Sequence, residues 1–323
     1  MTTSKTTIWI DDNPARAKTA EGFGAKFEDV RNADLAEKVE SLLKGQQPRM
    51  VILDHILDKT TTRNPLFQRG STIAEAIKEQ WPGCPVIGVT NIDNAEDIDR
   101  RTQKTYDALF RYYNFGKYLE TIRSIASGFA LIAKRSPSNA IELVELLKPP
   151  SQESERLVAA LPDSLKKQSL DASVASSLHR WVDHLMNRPG FLYDSLWAAT
   201  LLGINLSGLA KVQKEFERGK YAGVFSVESN ARWWSGLLTV MLYKRCPPEA
   251  GEFSWDAGRR LNGITRRFYS ECYVCDEKDP PEIVAYLDSQ TDERQPMHLR
   301  HTVLHPRFKR ELFFEDIRVM EDK

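Results

Sequence analysis

The chain has 323 residues, 41% of them hydrophobic and 28% charged, with 45 basic and 45 acidic side chains. That length and apolar content rule out a chain without a core and fit roughly two domains. The even charge balance argues neither for nor against nucleic acid. Four cysteines are too few for a disulfide scaffold and suit a reducing compartment.

The N-terminus, Met1 to Lys5, leads straight into a strand with no secretory signal pattern, and no apolar run is long enough to span a bilayer. The expectation is a soluble, cytoplasmic protein with no membrane partner. Thr7 to Ile10 reads as the first strand, closed by Asp11-Asp12. Asn13 is placed to cap the next helix and Pro14 to fill its first turn. A strand near Phe27–Val30 and a helix from Asp34 to Leu43 follow, ended by Gly45. Met50-Val51-Ile52-Leu53 is a wholly apolar strand closed by Asp54, of the kind buried on both faces of a parallel sheet.

The stretch from Asp58 to Gly70 is long for a βα connection, usually about 2–6 residues. Long loops at a ligand rim are commonly functional. Ser71–Gln80 reads as a helix, Pro85–Thr90 as a fourth strand ending in a hydroxyl, and Asn94–Lys104 as a polar helix. Ala108–Phe110 is a fifth strand followed by Arg111, and Lys117 to about Lys134 is a closing helix. Five alternations of strand and helix predict a doubly wound parallel sheet.

In such a sheet the strands ending at Asp11-Asp12 and at Asp54 bring three carboxylates to one rim, where open α/β sheets bind ligands. Close carboxylates repel each other, and a bound cation relieves the repulsion. Oxygen donors suit Mg²⁺, which takes one or two carboxylates with waters and phosphate oxygens. A carboxylate left free could attack phosphorus and become an aspartyl phosphate. One acid at a strand end is weak evidence, because strand ends meet solvent; acids closing two strands are more specific.

The order of these parts resembles the receiver domain of two-component response regulators, over about residues 1–134. The resemblance rests on Asp11-Asp12, Asp54 and Thr90, each at a strand end. It implies a flavodoxin-like fold and a Mg²⁺ site at Asp11, Asp12 and Asp54, with the Ile56 carbonyl as a further ligand. It also implies Asp54 as phospho-acceptor and Thr90 as the hydroxyl that contacts the phosphoryl group. Arg111 stands where the family has Lys, and a wide guanidinium fork does not reproduce the geometry of a compact ammonium. Ala108 stands at the family's aromatic switch position, with Tyr112 and Tyr113 as candidates to replace it. These departures leave open a receiver that binds without being phosphorylated.

Ser136-Pro137-Ser138 marks a boundary. Residues 135–323 predict a mainly helical second domain with a small α+β tail from about residue 270. Helical spacing runs through 141–147, Glu153–Leu161, Ser173–Met186 and Leu192–Leu202, interrupted by Pro149-Pro150 and Pro189-Gly190. Trp181, Trp197, Trp233, Trp234 and Trp255 read mainly as core. On one helix the adjacent Trp233 and Trp234 cannot both face inward, so one of them is expected on a partner surface.

Two stretches here carry chemistry. Ala198 to Leu209 resembles a Fis-type helix-turn-helix, with Gly203 in the turn and Asn205 capping the second helix. Lys211 and Lys214 are the only basic groups there, among Leu206, Gly208, Leu209, Ala210 and Val212, so a buried helix pair competes with DNA binding. Cys272-Tyr273-Val274-Cys275, with His298, His301 and His305 downstream, offers donors for a tetrahedral Zn²⁺ site, three histidines competing for two places. Two buried thiols beside a His-bearing strand are the alternative. Arg259-Arg260 and Arg266-Arg267 could form a basic strip, and 312–319 reads as a strand or docking tail.

These readings predict a response-regulator-like signalling protein. A sensor histidine kinase or phosphotransfer protein would phosphorylate Asp54, with Thr90 and Arg111 sensing the group, and a downstream protein partner would receive the signal. A non-phosphorylated scaffold and a phospho-controlled DNA-binding regulator are alternatives, as is an enzyme with its site in the Cys/His tail. A homodimer is compatible with any of them.

Overall fold

The computed structural model describes residues 6–30, 35–57, 69–92, 100–166, 171–188, 190–287, 294–304 and 318–320. The chain forms two compact units, residues 1–140 with 163–180 and residues 141–162 with 181–323.

The first unit is built on one sheet of five strands: β1 (Thr7–Asp11), β2 (Ala25–Asp29), β3 (Met50–Asp54), β4 (Val86–Thr90) and β5 (Ala108–Arg111). Their order is β2-β1-β3-β4-β5 and every pairing is parallel. That is the flavodoxin-like order, whose ligand rim lies where β1 and β3 part. Within this sheet β3 and β4, apolar runs closed by Asp54 and Thr90, are the strands buried at every residue. The edge strand β2 carries Lys26 and Glu28 and is only half-buried. Helices α1 (Ala17–Phe23), α2 (Leu35–Leu43), α3 (Gly70–Gln80), α4 (Arg100–Gln103) and α5 (Leu119–Arg135) complete the alternation. Helix α5 buries Ile122, Ile125, Ala126, Phe129 and Ile132, the spacing of a single apolar stripe. The Asp58–Gly70 loop and the start of the polar helix at Asn94 fall largely outside the described residues.

Register fixes the rim. Ile10 pairs with Leu53, so Asp11 and Asp54 finish level. Asp54 pairs with Val89, and Thr90 pairs with Arg111 one step beyond.

The second unit is mainly helical. It contains α6 (Ala140–Glu145) from Ile141 onward, α7 (Ser151–Ala160) and α8 (Val174–Met186) from Trp181 onward. It continues with α9 (Ser195–Leu201), α10 (Leu206–Val212), α11 (Ser235–Arg245) and α12 (Ser254–Arg259). Trp197, Leu202, Phe216, Trp233, Leu238 and Leu242 share its core. Short antiparallel pairs decorate it: β6 (Leu192–Tyr193) with β7 (Trp233–Trp234), β8 (Ile283–Leu287) with β9 (Arg294–His298), and β10 (Thr302–Leu304) with β11 (Arg318–Met320).

Two local expectations change. The segment from Leu192 begins as a strand, and the helix starts only at Ser195, where the Asp194 carboxylate accepts the Trp197 N–H at 2.9 Å. Trp233 and Trp234 are both buried, so neither marks a partner surface. They lie on a strand, where successive side chains point to opposite faces, and both faces are covered here. Among the described residues no helix is long and apolar enough to cross a membrane.

Candidate functional site

At the carboxyl rim of the sheet one carboxylate oxygen from each of Asp11, Asp12 and Asp54 lies within 4.8 Å of the others. Asp11 is fully buried, Asp54 is 6% exposed and Asp12 is half-buried. Thr90 is buried at the end of β4, and its Oγ1 accepts the Ile92 N–H at 3.1 Å.

A cation is already lodged there. Arg16 Nη1 is 2.7 Å from Asp11 Oδ2 and 3.1 Å from Asp54 Oδ1, and the side chain is 2% exposed. Its guanidinium lies over the Tyr112 ring, 4.3 Å from the centroid. Tyr112 is held in turn by a 3.1 Å hydrogen bond between its hydroxyl and that of Thr19. Local sequence explains the placement. Asn13 Oδ1 accepts the Ala15 N–H at 3.1 Å, Pro14 starts a 3₁₀ turn over Pro14–Arg16, and that turn folds Arg16 back over the end of β1. Sequence reading missed Arg16, because an arginine in a first helical turn looks like a solvated charge. The available signal was the Asn13-Pro14 turn start just after the acidic pair.

Asp11 accepts from three groups in this arrangement. Its Oδ1 accepts the Asn13 N–H at 2.8 Å, while Oδ2 accepts the Trp9 indole N–H at 3.1 Å together with Arg16. Burial, followed by repulsion from Asp11, pushes the Asp54 carboxyl up to about 7, although Arg16 pulls the other way. Burial lowers the Arg16 pKa, but the two carboxylates outweigh it and the net shift is upward. Three carboxylate oxygens on one rim are the donor type a hard divalent cation takes. Two of the three already share a guanidinium.

The floor beside Asp54 is tight. A Cβ at Gly70, the first residue of α3, would sit 2.1 Å from the Asp54 carbonyl oxygen and 2.9 Å from Tyr106 Oη. The Tyr106 hydroxyl also meets His55 Nδ1 at 3.2 Å. Arg111, level with Thr90 on β5, is half-exposed and donates to Tyr113 Oη at 3.0 Å. The guanidinium that reaches Asp54 is that of Arg16. Tyr113 is exposed, and so is Ile56.

In the second unit, Cys272, Cys275, His298 and His301 offer ligand atoms all within 4.8 Å of one another. His305 lies outside the described residues. Burial pushes the Cys272 thiol up, but backbone N–H groups of His298, Val274 and Cys275 outweigh it and the net shift is downward.

The remaining predicted groups stand apart. Helix α10 buries Gly208, Leu209 and Val212, and Asn205 caps it by accepting the Gly208 N–H at 2.8 Å. Lys211 is exposed with its Nζ 5.1 Å from the Phe268 ring centroid, and Lys214 is exposed in the following turn. The basic strip is internally paired: Arg259 and Arg266 both meet Asp279, and Arg260 meets Glu249 and Glu252.

No protein-family model and no curated protein matches the sequence. Solved structures do match in fold. A CheY-like receiver domain from Methanospirillum hungatei JF-1 is 18% identical and covers 40% of this chain and 98% of its own, with a TM-score of 0.31. The signal receiver domain of an HD domain-containing protein from Pseudomonas fluorescens Pf-5 is 14% identical over 42% of this chain and 96% of its own, with a TM-score of 0.33. The Mn²⁺-bound response regulator Rcp1 is 17% identical over 37% of this chain and 92% of its own, with a TM-score of 0.29. By its own strand order the first unit has a flavodoxin-like fold. At these identities the likeness concerns the fold alone, and the chemistry of the receiver-like unit rests on its own residues.

Proposed function

We propose that the chain is a response-regulator-like signalling protein in which Asp54 accepts a phosphoryl group from a kinase or phosphotransfer partner. The observation that carries this reading is the meeting of Asp11, Asp12 and Asp54 at the β1/β3 rim, with Thr90 one step beyond on β4. A Mg²⁺ ion held by Asp11, Asp12 and Asp54 would neutralise charge on the transferring group. An Asp54 oxygen attacks phosphorus as the bond to the donor, such as a phosphohistidine nitrogen, breaks and the imidazole leaves. The Thr90 hydroxyl, with Arg111 beside it in register, would receive the new oxygens. The change is then read by the mainly helical second unit, whose output is contact with another protein. DNA binding is the weaker output, since α10 buries much of its surface and Lys211 lies beside an aromatic ring.

One observation favours a second reading, a scaffold that is not phosphorylated. Arg16 bridges Asp11 and Asp54, so the chain's own cation already meets part of the rim's negative charge. Beryllofluoride with Mg²⁺, a mimic of the acyl phosphate, separates the two. Binding that raises the melting temperature, and that Asp54→Asn abolishes, supports phosphoryl acceptance. No shift in the unmodified protein supports the scaffold.

A further inference from the structure

The turn that precedes β8 gathers four soft-metal donors from two places in the sequence. Cys272 and Cys275 sit on a tight turn in which the Asp276 N–H donates to the Cys272 carbonyl at 2.9 Å and the Cys272 N–H to the Glu277 carbonyl at 2.9 Å. His298 closes β9, and His301 ends the 3₁₀ turn after it. Their atoms pair across the two segments: Cys272 Sγ is 3.4 Å from His301 Nδ1, and Cys275 Sγ is 3.3 Å from His298 Nδ1. Ligand–metal distances of about 2.0–2.3 Å in a tetrahedron give edges of about 3.3–3.8 Å. Both measured contacts fall on that edge length.

The surroundings are built for the same purpose. His298 Nε2 lies 2.9 Å from the Pro280 carbonyl, which can only accept, so the Nε2–H donates and Nδ1 keeps its lone pair for the thiol side. The His298 N–H points at Cys272 Sγ at 3.3 Å, a donor that favours thiolate. Two thiolates and two neutral imidazoles around a dication sum to zero charge, which suits the full burial of Cys272 and His298. The local apolar core is small, consisting of Cys272, Ile283 and Met297 with Cys275 packed on it. A segment with so few apolar contacts gains most from a metal staple.

We propose that Cys272, Cys275, His298 and His301 bind one Zn²⁺ ion in a closed, structural tetrahedral site that fastens the β8–β9 hairpin to the second unit. Four protein ligands leave no open position for a reacting water, so the site is not catalytic. The inference is independent of the reading of the acidic rim.

Elemental analysis of the full-length chain, purified without added metal or chelator, tests it. About one zinc per chain is expected, as a single S₂N₂ site requires. Cobalt(II) substituted for the zinc should give the visible absorption of a tetrahedral site with thiolate ligands. His301→Ala, at a half-buried position, should lose the metal or shift the cobalt spectrum while the rest of the chain stays folded by circular dichroism. Cys275→Ser supplies the same readout if His301→Ala fails to fold. A folded, metal-free protein that takes up no zinc from zinc sulfate would overturn the proposal. So would a Cys272–Cys275 disulfide detected by mass, or zinc and an unchanged cobalt spectrum retained by both variants.

Discussion

The acidic rim and the thiol–imidazole cluster each gather metal-type ligands within 4.8 Å, yet they meet their charge in opposite ways. At the rim the chain supplies its own cation. Arg16 bonds Asp11 and Asp54, and Trp9 and Asn13 also donate to Asp11. At the cluster, the exposed Arg300 approaches Cys275 Sγ from outside at 3.8 Å and pairs with Glu277 at 3.2 Å. The ligand atoms there face one another. Three acids sharing an internal cation and four soft donors facing one another therefore predict different metal behaviour: weak, competitive and switchable at the rim, tight and structural at the cluster.

Metal removal should separate the two most widely. Stripping the cluster with a zinc chelator should abolish amide protection across 283–287 and 294–298, because binding energy at such a site is folding energy, on the order of 10 kcal/mol in small zinc modules. Protection in β3 and β4 should survive, since Arg16 needs no ion. Equal loss in both places would erase the contrast.

Arg16→Ala tests the other side. It leaves two buried carboxylates facing each other, and breaking a buried pair in this way costs about 3–5 kcal/mol. Chemical denaturation without divalent ions should show that loss, and millimolar Mg²⁺ should restore part of it. A destabilisation unchanged by Mg²⁺ would mean the rim cannot exchange one cation for the other.

The rim was legible in the sequence as far as strand ends go. Apolar runs closed by Asp11-Asp12, by Asp54 and by Thr90 dictate buried parallel strands, and register does the rest. Arg16 was not legible, because its role depends on a turn folding back over β1, and periodicity carries no record of that. The Trp233-Trp234 pair misled for a related reason. Its two residues form a strand because Leu192-Tyr193 pairs with them from far away in the chain. In the tail the residue types announced metal chemistry, but it is the β8–β9 pairing and the turn after it that bring His298 and His301 to the thiols.

A smaller effect should come with pH. With Asp54 at about 7 in the folded protein and near its ordinary value when unfolded, the native state holds the extra proton between these two values. Stability contributed here is therefore greatest below about pH 4 and falls as pH rises to 7, by up to about 4 kcal/mol at 1.36 kcal/mol per unit. Melting curves of Asp54→Asn should lack this slope relative to the unmodified chain. A slope of the same size in both would assign it to other groups.

Gly70→Ala should cost about 1–3 kcal/mol through the clash with the Asp54 carbonyl and the Tyr106 hydroxyl, read by urea denaturation. A neutral substitution would mean that α3 can retreat from the rim. Lys211→Ala with Lys214→Ala should have the least effect. Stability should stay within about 0.5 kcal/mol, and any weak, salt-sensitive retention of duplex DNA should be unchanged, whereas its loss would revive the DNA-binding output.

The claim that the rim carries its own cation is tested most directly by calorimetric titration of Mg²⁺ into the unmodified protein and into Arg16→Ala at one pH and ionic strength. With Arg16 3.1 Å from Asp54 and 2.7 Å from Asp11, its removal should tighten Mg²⁺ binding by about tenfold or more, since displacing a buried ion pair costs at least 1.4 kcal/mol. Asp54→Asn should remove that gain. Equal Mg²⁺ affinity in the two proteins would show that Arg16 does not hold the metal's place.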